Sequence, residues 1–244
     1  MLRSPLWSLV WSLLRLAMAA AIVAAIVAQL VQSVSGAISA GRDVVTIIAN
    51  FFSFFTILSN AASAVILAAA AIWYFSQGRR ASVEPRWLAF LLAAVTSYML
   101  VTGIVYNTLL RGIALEPGSI VAWSNEILHL IGPIFLLADL FLGPFRRALP
   151  WRTVIGIVIF PLMWVGYTLL RASFISNPGT GDPYWYPYPF LNPNGAGGWG
   201  SVIVYVIGIA VAIIAVALLV VWVGRRRAAY RTAVVTAEEL QPAL

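Results

Sequence analysis

Apolar residues run along this chain in six long, nearly unbroken stretches, separated by short polar or Pro/Gly-containing connections. The stretches cover about residues 6–34, 44–75, 87–110, 120–142, 153–170 and 199–223. A bilayer core of about 30 Å is crossed by roughly 20 apolar residues in a helix. The runs are continuous rather than alternating, which predicts spanning helices and not barrel strands. The expected fold is all-α: a polytopic membrane protein, a compact bundle of six transmembrane helices over residues 1–224. Residues 225–244 form a basic, then acidic tail, expected to lack fixed structure. The first run is too long for the apolar core of a signal peptide, and Arg15 inside it is expected to snorkel toward the near interface.

Composition agrees. Of 244 residues 62% are hydrophobic and 9% charged, with a mean hydropathy of +0.94. A soluble domain carries about a quarter charged residues. A cytosolic enzyme, a disordered chain and a nucleic-acid-binding module are excluded, so no nucleic-acid partner is expected. There is no Cys, which removes disulfides, thiolate catalysis and iron–sulfur clusters, and no Lys, which removes Schiff-base chemistry. An Ala- and Arg-rich chain without Lys has the composition of a GC-rich bacterial genome.

Charge sets an orientation. Arg3, Arg79, Arg80, Arg86, Arg146, Arg147, Arg152, Arg225, Arg226, Arg227 and Arg231 fall on one side of a six-span arrangement; Arg42, Arg111 and Arg171 fall on the other. The positive-inside rule then places both termini in the cytoplasm, for a multi-pass protein of the inner membrane. Asp139, near the cytoplasmic end of the fourth span, is expected to pair with Arg146, Arg147 or Arg152. The long loop 171–198 is outside. Its Trp185, Tyr186, Tyr188 and Phe190 alternate with prolines, as in an interfacial anchor or a lid over a site open to lipid.

Polar residues inside the spans collect in one layer. Asn50, Ser53, Thr56, Asn60 and Ser63 share a helical face, as do Asn125, Glu126 and His129. His129 lies about 10–14 Å below the start of its span. Tyr106 and Asn107 end the third span and Arg171 ends the fifth, near the same level. His is the side chain here whose unperturbed pKa lies near neutrality, and a neutral imidazole can take the proton of a Ser or Thr hydroxyl. Ser53, Thr56 and Ser59 are the candidates. One His, one Glu and no Cys make a poor metal set, and no cofactor is expected. Spacing alone weighs a hydrogen-bonded core His as heavily as a catalytic one.

Three motifs carry a resemblance: Asn125-x-x-x-His129-x-x-x-Pro133, Thr56 within Phe54-Phe55-Thr56, and Trp185-Tyr186-Pro187-Tyr188-Pro189-Phe190-Leu191. Together they resemble the androgen-induced-gene-like family of multispan membrane proteins, which includes the androgen-dependent regulator of tissue factor pathway inhibitor. The segment Phe55–Asn60, the Leu128-His129 pair and Tyr188-Pro189-Phe190-Leu191 look like a largely actinobacterial six-span group. The animal family includes transmembrane threonine hydrolases of fatty acid esters of hydroxy fatty acids. The resemblance therefore implies Thr56 as nucleophile, His129 as base and Asn125 in the matching Asn position. Glu126 stands where the animal pattern has a second His, and His129 to Pro133 is one residue shorter.

The sequence-based expectation is a membrane-embedded hydrolase of a lipid ester, with membrane lipids around it and a lipid-like substrate. Asn125, Glu126, Asn60, Tyr106, Asn107 and Arg171 would support the imidazole, donate to the oxyanion or line the pocket. The alternatives are a lipid- or small-molecule-binding or transport protein with no covalent chemistry, and a structural or assembly partner.

Overall fold

The computed structural model describes residues 4–113 and 118–239, with side chains as far as Tyr230. Arg3 and the side chains of Arg231, Glu238 and Glu239 lie outside the described residues. The chain is helical with no strand among the described residues, in the order α1 (Pro5–Ser39), α2 (Val44–Phe51), α3 (Phe55–Ser76), α4 (Arg86–Val105), α5 (Ala122–Glu126), α6 (Gly132–Leu142), α7 (Thr153–Ala172) and α8 (Gly198–Glu239). Two π-helical turns, Tyr106–Leu110 and Ile127–Ile131, extend α4 and join α5 to α6. Six helical segments are long and apolar enough to cross a membrane. The end where α1 begins is called basal below. The end bearing the loop between α7 and α8 is called apical.

α4 is central, with α3, α6, α7 and α8 around it, and α1 packs along α3. Small residues let these backbones approach: Ala89, Ala93 and Ala94 of α4 pack in one cluster with Ala217 of α8, and Ala19 and Ala25 of α1 in another with Ala64 of α3. The outer faces are apolar, with Val23, Val27 and Val31 on α1, Ile155 and Ile159 on α7, and Ile207 and Val211 on α8 all exposed. Such an apolar exterior suits lipid as its solvent.

Three features differ from the sequence-based expectation. The second span is broken: α2 ends at Phe51 and α3 starts at Phe55. Neither Pro nor Gly marks the break. The freed groups find other partners. Ser53 Oγ donates to the Ala49 carbonyl at 2.8 Å, and Trp164 Nε1 donates to the Ser53 carbonyl at 3.0 Å. The chain after Val223, expected without fixed structure, continues α8 to Glu239. Arg227 there donates to the carbonyls of Leu140 and Gly143 at the end of α6.

The third difference is Arg15, which does not snorkel. It is 1% exposed and donates two hydrogen bonds to Asp139, which is fully buried. Trp11 Nε1 and Arg146 also donate to Asp139. Arg146 is the pairing foreseen for Asp139. Arg147 instead holds the Glu84 carbonyl, at 2.6 Å. Glu84 is buried against Arg146. Burial raises its carboxyl above the usual carboxylate range, against the pull of Arg146 and Arg15.

A proline inside α7 shows the same demand for satisfied backbone groups. Pro161 has no N–H, so the Ile157 carbonyl one turn earlier loses its helical donor. Tyr98 Oη donates to that carbonyl at 2.8 Å. Tyr98→Phe is expected to strand it and cost about 1–3 kcal/mol, read as a lowered Tm of the purified protein in detergent.

Candidate active site

The apical half of the bundle gathers the polar residues of α3, α4, α5 and the turn that follows. Asn50, Ser53, Thr56, Ser59, Asn60 and Ser63 are all buried, but not along one helical face: Asn50 belongs to α2 and Ser53 to the break, and only the other four lie on α3. Ser59 Oγ lies 3.0 Å from Thr102 Oγ1, which sets the register of α3 against α4. The two helices run antiparallel. Thr56, one turn before Ser59, and Tyr106, one turn after Thr102, therefore share the next layer toward the apical end.

His129 sits in the π-helical turn before Pro133. That proline removes a donor from the turn ahead of it. Two Asn side chains make good the loss: Asn60 Nδ2 donates to the Leu128 carbonyl at 3.0 Å, and Asn107 Nδ2 to the His129 carbonyl at 3.0 Å. Both residues thus hold the backbone under the imidazole rather than the imidazole itself. π-Turns of this kind often accompany functional sites. Here two of them face each other, one carrying Tyr106 and Asn107, the other His129.

The imidazole is fixed by two contacts, and a third holds its stacking partner. Its Nδ1 lies 3.0 Å from the Asn125 carbonyl oxygen. A carbonyl only accepts, so Nδ1 carries the proton and Nε2 keeps its lone pair. The ring stacks on Tyr106 with centroids 3.7 Å apart. Asn125 Nδ2 in turn donates to Tyr106 Oη at 2.6 Å. Asn125 therefore serves His129 through its backbone, and its amide orients the stacking partner.

Glu126 does not touch the ring. It forms a two-pronged ion pair with Arg111 at 2.9 and 3.0 Å, at the exposed rim. The Arg111 guanidinium also lies over Tyr106, 5.4 Å from its centroid, and donates to Asn107 Oδ1 at 2.8 Å. In the sequence Arg111 counts only toward orientation. Its spacing four residues after Asn107 was the available signal.

Thr56 is buried and its partner is Tyr188. The Thr56 hydroxyl and backbone N–H each lie 3.2 Å from Tyr188 Oη. Burial pushes the Tyr188 phenol up, and its contacts with Thr56 and Phe55 oppose that shift. No hydrogen bond joins Thr56 to His129 among the described residues. Tyr188 is enclosed by Phe54, Trp164 and Phe190. The apical loop is therefore packed into the bundle at Tyr188 and Leu191, while Trp185 and Tyr186 are half-buried beside it. Arg171 donates to Asn50 Oδ1 at 2.8 Å and lies over the Trp185 ring, which ties the loop to α2.

One close approach governs the His129 segment. A Cβ on Gly103 would lie 2.9 Å from Pro133 Cβ and 3.4 Å from the His129 carbonyl. Neither neighbour is a flexible side-chain end. Gly103→Ala is expected to push the turn away from α4 and cost about 1–3 kcal/mol, measured as thermal stability in detergent.

Among the described residues no group of three or more His, Cys, Asp or Glu is placed to hold a metal ion. No protein-family model, curated protein or solved structure matches the chain.

Proposed function

We propose that the chain is a membrane-embedded lipid-ester hydrolase, with Thr56 as nucleophile and His129 as general base. The substrate class is a fatty acid ester of a hydroxy fatty acid, or an ester like it. The protein lies in a bacterial inner membrane with both termini in the cytoplasm, so the apical end meets the outer leaflet. The observation that carries the reading is the imidazole held by the Asn125 carbonyl, with Nε2 left as acceptor in the same layer as the buried Thr56 hydroxyl.

In this scheme Thr56 Oγ1 attacks the ester carbonyl as Nε2 takes its proton. The tetrahedral intermediate collapses, the C–O bond to the alcohol breaks, and His129 returns the proton to the departing alkoxide. Water, deprotonated by the same Nε2, then cleaves the acyl-Thr56 ester and releases the acid. The chemistry requires Tyr188 Oη to leave Thr56, and the imidazole to reach Thr56 directly or through one water.

The Thr56–Tyr188 contact favours a second reading, a lipid-binding or transport protein without covalent chemistry. A long-chain fluorophosphonate separates the two. The hydrolase forms a covalent adduct on the Thr56 peptide, seen by mass spectrometry and lost in Thr56→Ala. A wild-type protein that turns over no lipid ester and takes no label supports binding alone.

A further inference from the structure

The surface of the basal end is charged in one sense only. The acidic side chains described there, Glu84 and Asp139, are 1% and 0% exposed and face Arg15 and Arg146 inside the bundle. Arg147 and Arg227 donate to backbone carbonyls. Arg79, Arg80, Arg86, Arg152, Arg225 and Arg226 are exposed, and none of them has an ion pair among the described residues. The apical end differs, since Arg111 there meets the Glu126 carboxylate at the surface.

Three of the exposed cations come together where α7 begins and the apolar run of α8 ends. Arg225 Nη1 donates to the Leu149 carbonyl at 3.1 Å, which brings α8 against the turn that carries Trp151 and Arg152. The Arg225 guanidinium lies over the Trp151 ring, 5.5 Å from its centroid, and that of Arg226 lies over Trp222 at the same distance. Both indoles are about half exposed. A guanidinium resting on a ring keeps N–H groups at its edge for an anion. Arg226 makes no hydrogen bond to the protein among the described residues, so its whole fork is available.

The surroundings select a lipid anion. One turn from these rings toward the bundle centre, the exposed side chains are Ile155 on α7 and Leu218 on α8. Charge, then aromatic ring, then aliphatic face is the order in which a headgroup, a glycerol backbone and an acyl chain follow one another at a membrane interface. Basic pockets between spanning helices suit anionic headgroups. Arg79 lacks this setting. It lies over Tyr74 and Phe75, and Tyr74 is buried.

We propose that the corner formed by Trp151, Arg152, Trp222, Arg225 and Arg226 is a binding site for an anionic phospholipid. Arg225 and Arg226 hold the phosphodiester through charge-assisted hydrogen bonds. The two indoles lie at the level of the glycerol, and the acyl chains run along the exposed faces of α7 and α8. The site stands whether or not the chain hydrolyses an ester.

The test titrates the purified full chain in detergent with phosphatidylglycerol, or with phosphatidylcholine of the same acyl chains, and counts bound lipid by native mass spectrometry. Phosphatidylglycerol, which has a net negative charge, is expected to bind about tenfold or more tightly. Arg225→Gln together with Arg226→Gln is expected to weaken it by about fivefold per arginine and to leave phosphatidylcholine unchanged. Arg226→Gln alone breaks no hydrogen bond within the protein and keeps the test open should the pair fail to fold. Arg79→Gln with Arg80→Gln removes the same charge elsewhere on the basal end and is expected to leave phosphatidylglycerol binding as it was.

Equal affinity of the wild type for the two lipids overturns the proposal, as does unchanged phosphatidylglycerol binding in Arg226→Gln. An equal loss in the Arg79 and Arg80 pair shows a diffuse field in place of a site and overturns it too. Displacement of phosphatidylglycerol by an equal concentration of soluble glycerol phosphate makes the ligand a free anion, which also ends the lipid assignment.

Discussion

Thr56→Ala is expected to lower ester turnover by roughly 10⁴-fold or more, the scale seen when an activated nucleophile is removed. A methyl group cannot attack the carbonyl, and what survives is the rate that binding and oxyanion donors supply to water. Thr56→Ser keeps the hydroxyl and is expected to keep most of the rate. His129→Ala is expected to match Thr56→Ala, and the double variant to be no slower than either, because nucleophile and base act as one unit. Asn125→Ala should be milder. It removes the amide that orients Tyr106 but leaves the carbonyl that holds the imidazole. Steady-state hydrolysis of a fatty acyl ester in micelles reads all five variants. Wild-type rates in both Thr56→Ala and His129→Ala would end the hydrolase assignment.

The second large effect lies at the basal end. Asp139→Ala leaves Arg15 and Arg146 as buried cations without their shared anion. Breaking a buried ion pair from one side costs about 3–5 kcal/mol. The variant is therefore expected to lose its cooperative thermal transition, or to yield no monodisperse protein. Removing a whole charge pair is different. Arg15→Leu with Asp139→Leu leaves Arg146 facing Glu84, a neutral remainder. This double variant is expected to be more stable than Asp139→Ala. A double variant that melts lower than the single would show that the pair contributes more than its own neutralisation.

Hydropathy made the spans readable because each must present apolar side chains along its whole length, and no partner is needed to see that. The inward side of Thr56, Asn60 and Ser63 was readable for a related reason, since periodicity reports which side turns inward; that Asn50 and Ser53 lie before a break in the helix was not. Interactions between distant segments were not. Arg15 read as a snorkelling side chain because Asp139 is 124 residues away. The break at 52–54 carries no Gly or Pro, and a Trp from α7 accounts for one of its carbonyls. Pro133 removes a donor from its own helix, but nothing local to it says that amides from two other segments answer the loss. Asn125 holds the imidazole through its carbonyl, an atom every residue possesses, and its side chain reaches only Tyr106. Tyr188 reads as an interfacial anchor or lid aromatic because its loop is Pro- and Tyr-rich; its burial against Thr56 belongs to the packed molecule.

Where the chain can be trimmed or tagged follows from Arg227. Hydropathy alone would invite truncation just after Val223, where the greasy run stops. The guanidinium four residues later closes the terminal carbonyls of α6, next to the segment that delivers Arg146 to Asp139. An affinity handle is better attached beyond that clasp than in place of it.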